Sequence, residues 1–245
     1  MIATRKQLAR WADLRNRKDR EESGLFLAEG RKLVDEVLAA GWSIEALLTS
    51  QEESETGPEN SYFVTREQME RVSSLRTAAD VMAVVRRPLS LERPHWSPGT
   101  LALVLDGLQD PGNVGTLLRT AAWFGFSVFY TPDTADPFGP KAVQASMGAI
   151  FQVKVGIADE MWWEELPAEV PVFGTFLSGE SVFGAPLSRE GLLVLGNEGH
   201  GIRSPLEQRV TRRLTVPRFS DYGDSLNVGA AAAVLMAEFR RGEQG

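Results

Sequence analysis

The stretch YGDSLNVGAAAAVLMAEF, from Tyr222 to Phe239, places Ser225 behind a Gly-Asp pair. A serine hydroxyl attacks an acyl carbon only when a general base, most often a histidine oriented by an acid, lies within reach. Only two histidines exist, His95 and His200, and both precede Ser225. Hydrolases that carry Gly-Asp-Ser-Leu have the serine near the N-terminus and its histidine near the C-terminus, so the order here is reversed. An esterase is therefore the weakest of the readings. Cysteine is absent, which removes thiol nucleophiles, disulfides and thiolate metal sites. No His/Asp cluster stands at ligand spacing, so no metal is expected.

Two other stretches have the residue types for chemistry. DGLQDPGNVGTLLRTAAWFG (106–125) carries Asn113 and Arg119. Six helical residues turn through about 600°, so these two share a face only if Asn113 is the helix cap and stands off the axis. By itself the stretch reads equally well as turn, cap and surface arginine. LLVLGNEGHGIRSP (192–205) spaces its glycines G-x-x-G-x-G around Glu198. The dinucleotide fingerprint is G-x-G-x-x-G, and no phosphate-loop lysine follows, so neither a nicotinamide nor a nucleoside triphosphate is indicated. Glycines there let the backbone come close to another group; the plain alternative is a strand-to-helix loop.

The elements that must position these loops alternate. Residues 4–22 read as one charged helix, followed by strand 24–30, helix 31–41, strands 43–50 and 61–65, helix 66–74 and strand 81–87, with QEESETGPEN (51–60) as a loop. This is a small α/β unit, 1–87. Pro88, Pro94 and Pro98 make 88–99 an extended linker. The unit 100–245 then alternates strands at 101–107, 127–132, 151–156, 170–177, 191–198 and 212–217 with helices at 113–125, 140–150, 160–167, 204–210 and 225–241. LALVLD and LLVLG are apolar throughout, which suits a parallel sheet with helices on both faces. Ligands bind such a sheet at the carboxyl ends of its strands, where all three stretches fall. The alanines at 230–233 lack the charged face of a surface helix and predict a buried or interfacial one.

The net charge of −7 argues against nucleic acid, but it is uneven. Residues 5–20 hold seven basic side chains against two acidic, a local face that can meet phosphate or simply be solvated. No apolar run approaches the roughly 20 residues that span a bilayer, and the N-terminus lacks the apolar core of a secretory signal. A cytoplasmic protein without a membrane partner is expected.

Together, DPGNVGTLLRTA, LGNEGHGI and LTVP…SLNVGAAAAVLMAE resemble the three motifs of the SpoU (TrmH-like) family of RNA ribose 2′-O-methyltransferases, in the SPOUT superfamily. KAVQASMGAIF is similar to the stretch after the first motif, and GLFLAEGRKLVDEVLAAG to the substrate-binding domain many members carry ahead of the catalytic one. The resemblance implies a trefoil-knotted C-terminal sheet, a homodimer joined through the first-motif and last helices, and S-adenosylmethionine as cofactor. It implies methylation of a ribose 2′-hydroxyl, in ribosomal RNA before transfer RNA, with a non-catalytic RNA-binding protein of the same fold as the alternative. By position it assigns Asn113, Arg119, Glu198, Ser225 and Asn227 to catalysis. Thr175, Leu195, Gly196, Asn197, Val216, Pro217 and Leu226 fall to the cofactor, and Arg5, Lys6, Arg15, Arg17, Lys18 and Arg31 to RNA. Ser225 then shapes the pocket and attacks nothing. The family's arginine is described as a base, but a guanidinium barely deprotonates, and holding a phosphate is an equally physical role. Two departures bear on RNA contacts. Gln144 stands where the resemblance leads one to expect arginine, and Arg218, where methionine is common, opens a loop, 218–224, about one residue longer than the resemblance leads one to expect.

Overall fold

A computed structural model describes residues 1–50, 60–88, 96–221 and 225–242. Most of the loop 51–60, the linker residues 89–95 with His95, and Tyr222–Asp224 lie outside the described residues. The chain forms two compact units, Met1–Leu89 with Asp136–Gln152, and Ser90–Ala135 with Val153–Gly245.

The first unit opens with two helices where one was expected, α1 (Arg5–Asp13) and α2 (Arg17–Ser23). Thr4 and Gln7 close a capping box over the start of α1. The break has a local cause. The Arg20 guanidinium takes the carbonyls of Leu14 and Arg15, each at 2.8 Å. In a continuous helix those carbonyls would accept from residues four further on. Next come β1 (Leu25–Glu29), α3 (Arg31–Ala39), β2 (Ile44–Thr49), β3 (Ser61–Phe63), α4 (Arg66–Val72) and β4 (Val81–Arg86). The sheet order is β1-β4-β2-β3; β4 runs antiparallel to both neighbours and β3 parallel to β2. Leu8 and Trp11 of α1 join Leu25, Leu27, Leu48, Met69 and Met82 in its core.

The second unit holds β5 (Leu101–Leu105), α5 (Pro111–Phe124), β6 (Ser127–Tyr130), β7 (Val155–Ile157), α7 (Glu160–Glu165), β8 (Val172–Ser181), β9 (Gly191–Leu195), α8 (Ser204–Glu207), β10 (Arg212–Thr215) and α9 (Val228–Phe239), with α6 (Pro140–Ser146) between β6 and β7 in the chain. Its sheet runs β10-β8-β9-β5-β6-β7, and every pairing is parallel. The apolar runs at β5 and β9 are buried along their whole length, because helices cover both faces. Ala102, Val104, Leu192 and Val194 pack with Trp162 and Trp163 of α7 and Leu206 of α8. Side chains of a strand alternate between faces, and on the other face Phe173 meets Phe239 of α9 edge-on, ring centroids 5.0 Å apart.

Residues 136–152 read in sequence as part of this second unit, yet they pack with the first. Phe26 of β1 stacks on Phe151 and packs at a tilt against Phe138, and the buried Arg20 pairs with Asp136 at 2.7 Å. The helix expected over 140–150 stops at Ser146. Met147 (φ 55°) and Gly148 (φ 96°) are both left-handed, and Ala149–Phe151 is a 3-10 turn. A side chain at Gly148 would lie 2.6 Å from Glu36 Cγ, so glycine meets both the dihedral and the space. The expected strand 151–156 shrinks to β7. Gln144 donates to the Glu29 carbonyl at 2.8 Å and so serves as a strut inside the first unit.

Candidate active site

β5 and β9 lie side by side, in register from Leu101 opposite Gly191 to Leu105 opposite Leu195. From β5 the chain proceeds to β6 and β7 on one side; from β9 it crosses to β10 on the other. Loops that diverge from neighbouring carboxyl ends leave a crevice between them, the ligand position of open parallel sheets.

In the loop after β5, Gly107 (φ 68°) donates to the hydroxyls of Thr131 and Thr134 at 3.0 and 3.1 Å. Asp110 caps α5, accepting from Asn113 N at 2.8 Å, and Pro111 takes the first helical position. The cap is therefore Asp110. Asn113 sits in the first turn of α5, on the helix itself, which corrects the capping role considered from sequence. Arg119 then lies about 9 Å further along the axis and a third of a turn away.

The loop after β9 doubles back tightly. Asn197 and Gly201 exchange backbone hydrogen bonds of 3.0 and 2.8 Å. This lays the 201–202 backbone on Gly196, where a side-chain carbon would lie 2.2 Å from the Gly201 carbonyl carbon. Asn197 Oδ1 accepts from Gly199 N at 2.8 Å, and its Nδ2 donates to the Gly107 carbonyl at 2.7 Å, joining the two loops.

The third contribution is the start of α9. Asn227 Oδ1 accepts from Gly229 N at 2.9 Å and caps the helix. Its Nδ2 donates to Asn113 Oδ1 at 3.2 Å, and Asn113 Nδ2 donates to Glu198 Oε1 at 3.0 Å. Three loops thus bring Asn227, Asn113 and Glu198 into one hydrogen-bonded line. Gly229 permits this, since a side chain there would meet Thr116 of α5 at 3.1 Å. Replacing Asn227 should separate its two tasks. Asn227→Asp keeps the cap but cannot donate to Asn113; Asn227→Ala loses both, at about 1 kcal/mol for the cap. Thermal unfolding is expected near the wild-type midpoint for the Asp variant and lowered for the Ala variant, with turnover reduced in both. Full turnover in the Asp variant would show that the bond to Asn113 is dispensable.

The remaining assigned residues are not drawn into that line. Arg119 is exposed and has no hydrogen-bond or ion-pair partner among the described residues, and the same holds for Ser225. No bond joins Ser225 to His200, so the pairing that a serine nucleophile requires is not formed. Thr175, Val216 and Pro217 are half-buried and Leu195 is buried, on the adjacent strands β8, β10 and β9 and the residues that follow them. Between Gly174, opposite Arg213, and Glu180, opposite Leu214, residues 175–179 leave the ladder. This excursion exposes Leu177 (81%), as the segment before α9 exposes Leu226 (56%). The exposed Leu177 and Leu226 and the backbone groups around Gly196 could hold the apolar and hydrogen-bonding parts of a nucleoside. In the first unit, Arg17 and Lys18 pair with Glu21 and Glu22 one turn on, at 2.7 and 3.7 Å. Arg15 bonds the Ala12 carbonyl. Arg5 and Lys6 lie in the first turn of α1 and Arg31 opens α3. Among the described residues no group of His, Asp and Glu could hold a metal ion, and no helix is long and apolar enough to cross a membrane.

Sequence reasoning missed Asp106, Asp133 and Arg203. Asp106 carries a faint signal as the first charge after an apolar strand, but nothing local marks a partner 97 residues away.

Residues 100–237 match the SpoU rRNA Methylase family, and residues 5–83 match the MRM3-like substrate binding domain. The chain belongs to the SpoU rRNA methylase family. It is 32% identical to the 23S rRNA (guanosine(2553)-2′-O)-methyltransferase RlmP of Bacillus subtilis, over 94% of each chain. Among solved structures, it superposes with a TM-score of 0.86 on a putative RNA methyltransferase of the TrmH family from Porphyromonas gingivalis, at 36% identity and covering 98% of this chain and 99% of that one. It superposes with a TM-score of 0.85 on the AdoMet-bound rRNA methyltransferase from Sinorhizobium meliloti, at 26% identity and covering 100% and 98%. The parallel sheet, the substrate-binding unit ahead of it and the methylase family expected from sequence are thus all found.

Proposed function

We infer that this protein transfers the methyl group of S-adenosylmethionine to a ribose 2′-hydroxyl of ribosomal RNA. The observation that carries the reading is the Asn227–Asn113–Glu198 line, built from three loops beside the Gly196 crossing at the divergence of β5 and β9. The relatives' names supply the RNA class. The cofactor, held by backbone groups of Leu195, Gly196, Asn197, Val216 and Pro217 with Thr175 and Leu226 alongside, supplies a methyl group already activated on sulfur.

The chain has two tasks left, orienting the hydroxyl and taking its proton. Glu198 spends Oε1 on Asn113, while Oε2 has no partner among the described residues. That oxygen is the acceptor the geometry offers. Arg119, exposed and uncommitted, holds the phosphate beside the target ribose through its guanidinium fork. Ser225 lines the wall with its hydroxyl. RNA is gathered further by Arg5, Lys6, Arg15, Arg17, Lys18 and Arg31 of the first unit. The pairs with Glu21 and Glu22 offer little resistance, since exposed ion pairs are worth about 0–1 kcal/mol.

A SPOUT-type knot and a cytoplasmic homodimer complete the reading. Trp123 on α5 is 85% exposed, and Ala230 and Ala237 of α9, the helix packed on α5, are exposed as well. An apolar face of this kind is covered in assemblies.

The test is transfer of labelled methyl to total RNA from cells lacking the gene, given naked and as ribosomal particles. Label in the ribose of one ribosomal RNA supports the reading. Label confined to transfer RNA, or cofactor binding without label in any RNA, overturns its substrate.

A further inference from the structure

We propose that Arg203 is a positioning residue for methyl transfer: by forking between Asp106 and Asp133 it fixes loop 196–202 and so sets cofactor affinity. The inference rests on the reading that this loop holds the cofactor.

Asp106 follows β5 directly, and its side chain is fully buried. A buried carboxylate must be paired and hydrogen-bonded or it is costly. Among the described residues, every hydrogen bond to its carboxylate comes from Arg203. Arg203 N donates to Oδ2 at 2.7 Å, Nε donates to Oδ1 at 2.5 Å, and Nη2 lies 2.5 Å from Oδ1. The remaining nitrogen, Nη1, lies 3.1 Å from Asp133 Oδ1. Asp106, Asp133 and Arg203 belong to the loops after β5, β6 and β9, so one guanidinium ties together three loops at the carboxyl end of the sheet. Gln109 reinforces the same belt, donating to the carbonyls of Gly107 and Asp133 at 3.0 and 2.8 Å.

The location gives this clamp its consequence. Arg203 directly follows the 201–202 backbone that rests on Gly196. Among the described residues, loop 196–202 has two other side-chain ties to its surroundings, Asn197 to the Gly107 carbonyl and Glu198 to Asn113. Without the guanidinium, Asp106 keeps a single backbone donor in a buried place. Its cheapest relief is for the 201–203 segment to lift and admit water. That movement uncovers Gly196 and shifts Asn197 and Glu198, the residues that face cofactor and ribose. The Arg203 side chain is itself half exposed (46%), so its apolar packing contributes little, and the clamp acts mainly on geometry. Lysine cannot replace it, because a point charge cannot serve Asp106 and Asp133 together.

The experiment titrates S-adenosylmethionine into the full-length protein by calorimetry, with thermal unfolding in parallel, for Arg203→Ala, Arg203→Lys, Asp133→Asn and Gly196→Ala. Losing hydrogen bonds to a buried charge predicts an affinity about 10- to 100-fold weaker for Arg203→Ala and nearly as weak for Arg203→Lys. Asp133→Asn, which keeps an acceptor but loses the charge of the outer pair, should be weakened severalfold. Guanidinium ion at millimolar concentration should restore binding to Arg203→Ala, and ammonium should not; a general loss of stability would respond to neither. Should Arg203→Ala fail to fold, Arg203→Lys and Asp133→Asn decide. Affinity within about twofold of wild type in the folded Arg203 variants, while Gly196→Ala loses binding, overturns the role of Arg203 alone. Wild-type affinity in Gly196→Ala as well overturns the placement of the cofactor on this loop, and the inference with it.

Discussion

Arg119→Ala should lower kcat/KM for RNA methylation by about 10²- to 10³-fold, the loss typical of removing one preorganised charged donor, while cofactor affinity and the unfolding midpoint stay at wild type. The stability half follows from the structure. Arg119 projects from α5 into solvent and has no partner among the described residues, and alanine suits a helix at least as well. The activity half follows from its place on the helix that carries Asn113. It is the arginine nearest to the Asn227–Asn113–Glu198 line along α5, and its donors are uncommitted. Arg119→Lys separates its two possible roles. A proton acceptor would be improved by an amine, which deprotonates far more readily, so activity would recover and rise with pH. A forked holder of phosphate would be impaired by lysine at every pH, because the bidentate contact is gone. The second outcome is expected. Recovery of Arg119→Lys above neutral pH would assign the proton to residue 119 and release Glu198 from that role.

How far the sequence carried these conclusions depended on whether the deciding contact was local. β5 and β9 were legible because strands buried on both faces must be apolar throughout, and five consecutive buried residues in each bear this out. The close approach at Gly196 was anticipated in kind, since three glycines around one strand end have few other uses. Long-range contacts were not legible. The helix expected over 4–22 breaks because Arg20 reaches back to two carbonyls. Its own position is fixed by Asp136, 116 residues away. The same segment, 136–152, keeps its α/β look in sequence although its aromatic side chains are buried with Phe26 of the first unit. Asn113 was misplaced by three residues, because Asp110 and Asn113 are equally good caps and only the backbone shows which one the helix uses. The motifs brought the Asn227–Asn113–Glu198 group together by resemblance. The clamp that braces it, Arg203 on Asp106 and Asp133, belongs to no motif quoted for the family.

Gly196→Ala should abolish cofactor binding and lower the unfolding midpoint together. The added carbon would lie 2.2 Å from the Gly201 carbonyl carbon, 2.3 Å from Ile202 N and 2.5 Å from the Gly201 oxygen. All three are backbone atoms, so no rotamer change makes room. One side of the clash is the end of β9, which is held between β5 and β8 at the middle of the sheet and cannot yield. The other side is the tight return from Asn197 to Gly201, which must open and break one or both of its backbone bonds. Overpacking of this kind costs about 1–3 kcal/mol, and in a chain this long each kcal/mol moves the midpoint by about 2–4 °C. The binding loss should be the larger effect, about 100-fold or more, because Asn197 and Glu198 ride on the part that moves and the site depends on sub-ångström placement. Gly199→Ala is the matched control. It lies in the same loop, but a side chain there meets only Asn197 Oδ1 at 3.3 Å, a contact that a small shift relieves. Binding and stability near wild type are expected for Gly199→Ala. If calorimetry finds both variants binding equally well, the crossing at Gly196 does not shape the cofactor site; if both lose binding, the loop is intolerant of any added bulk and the crossing is not the cause.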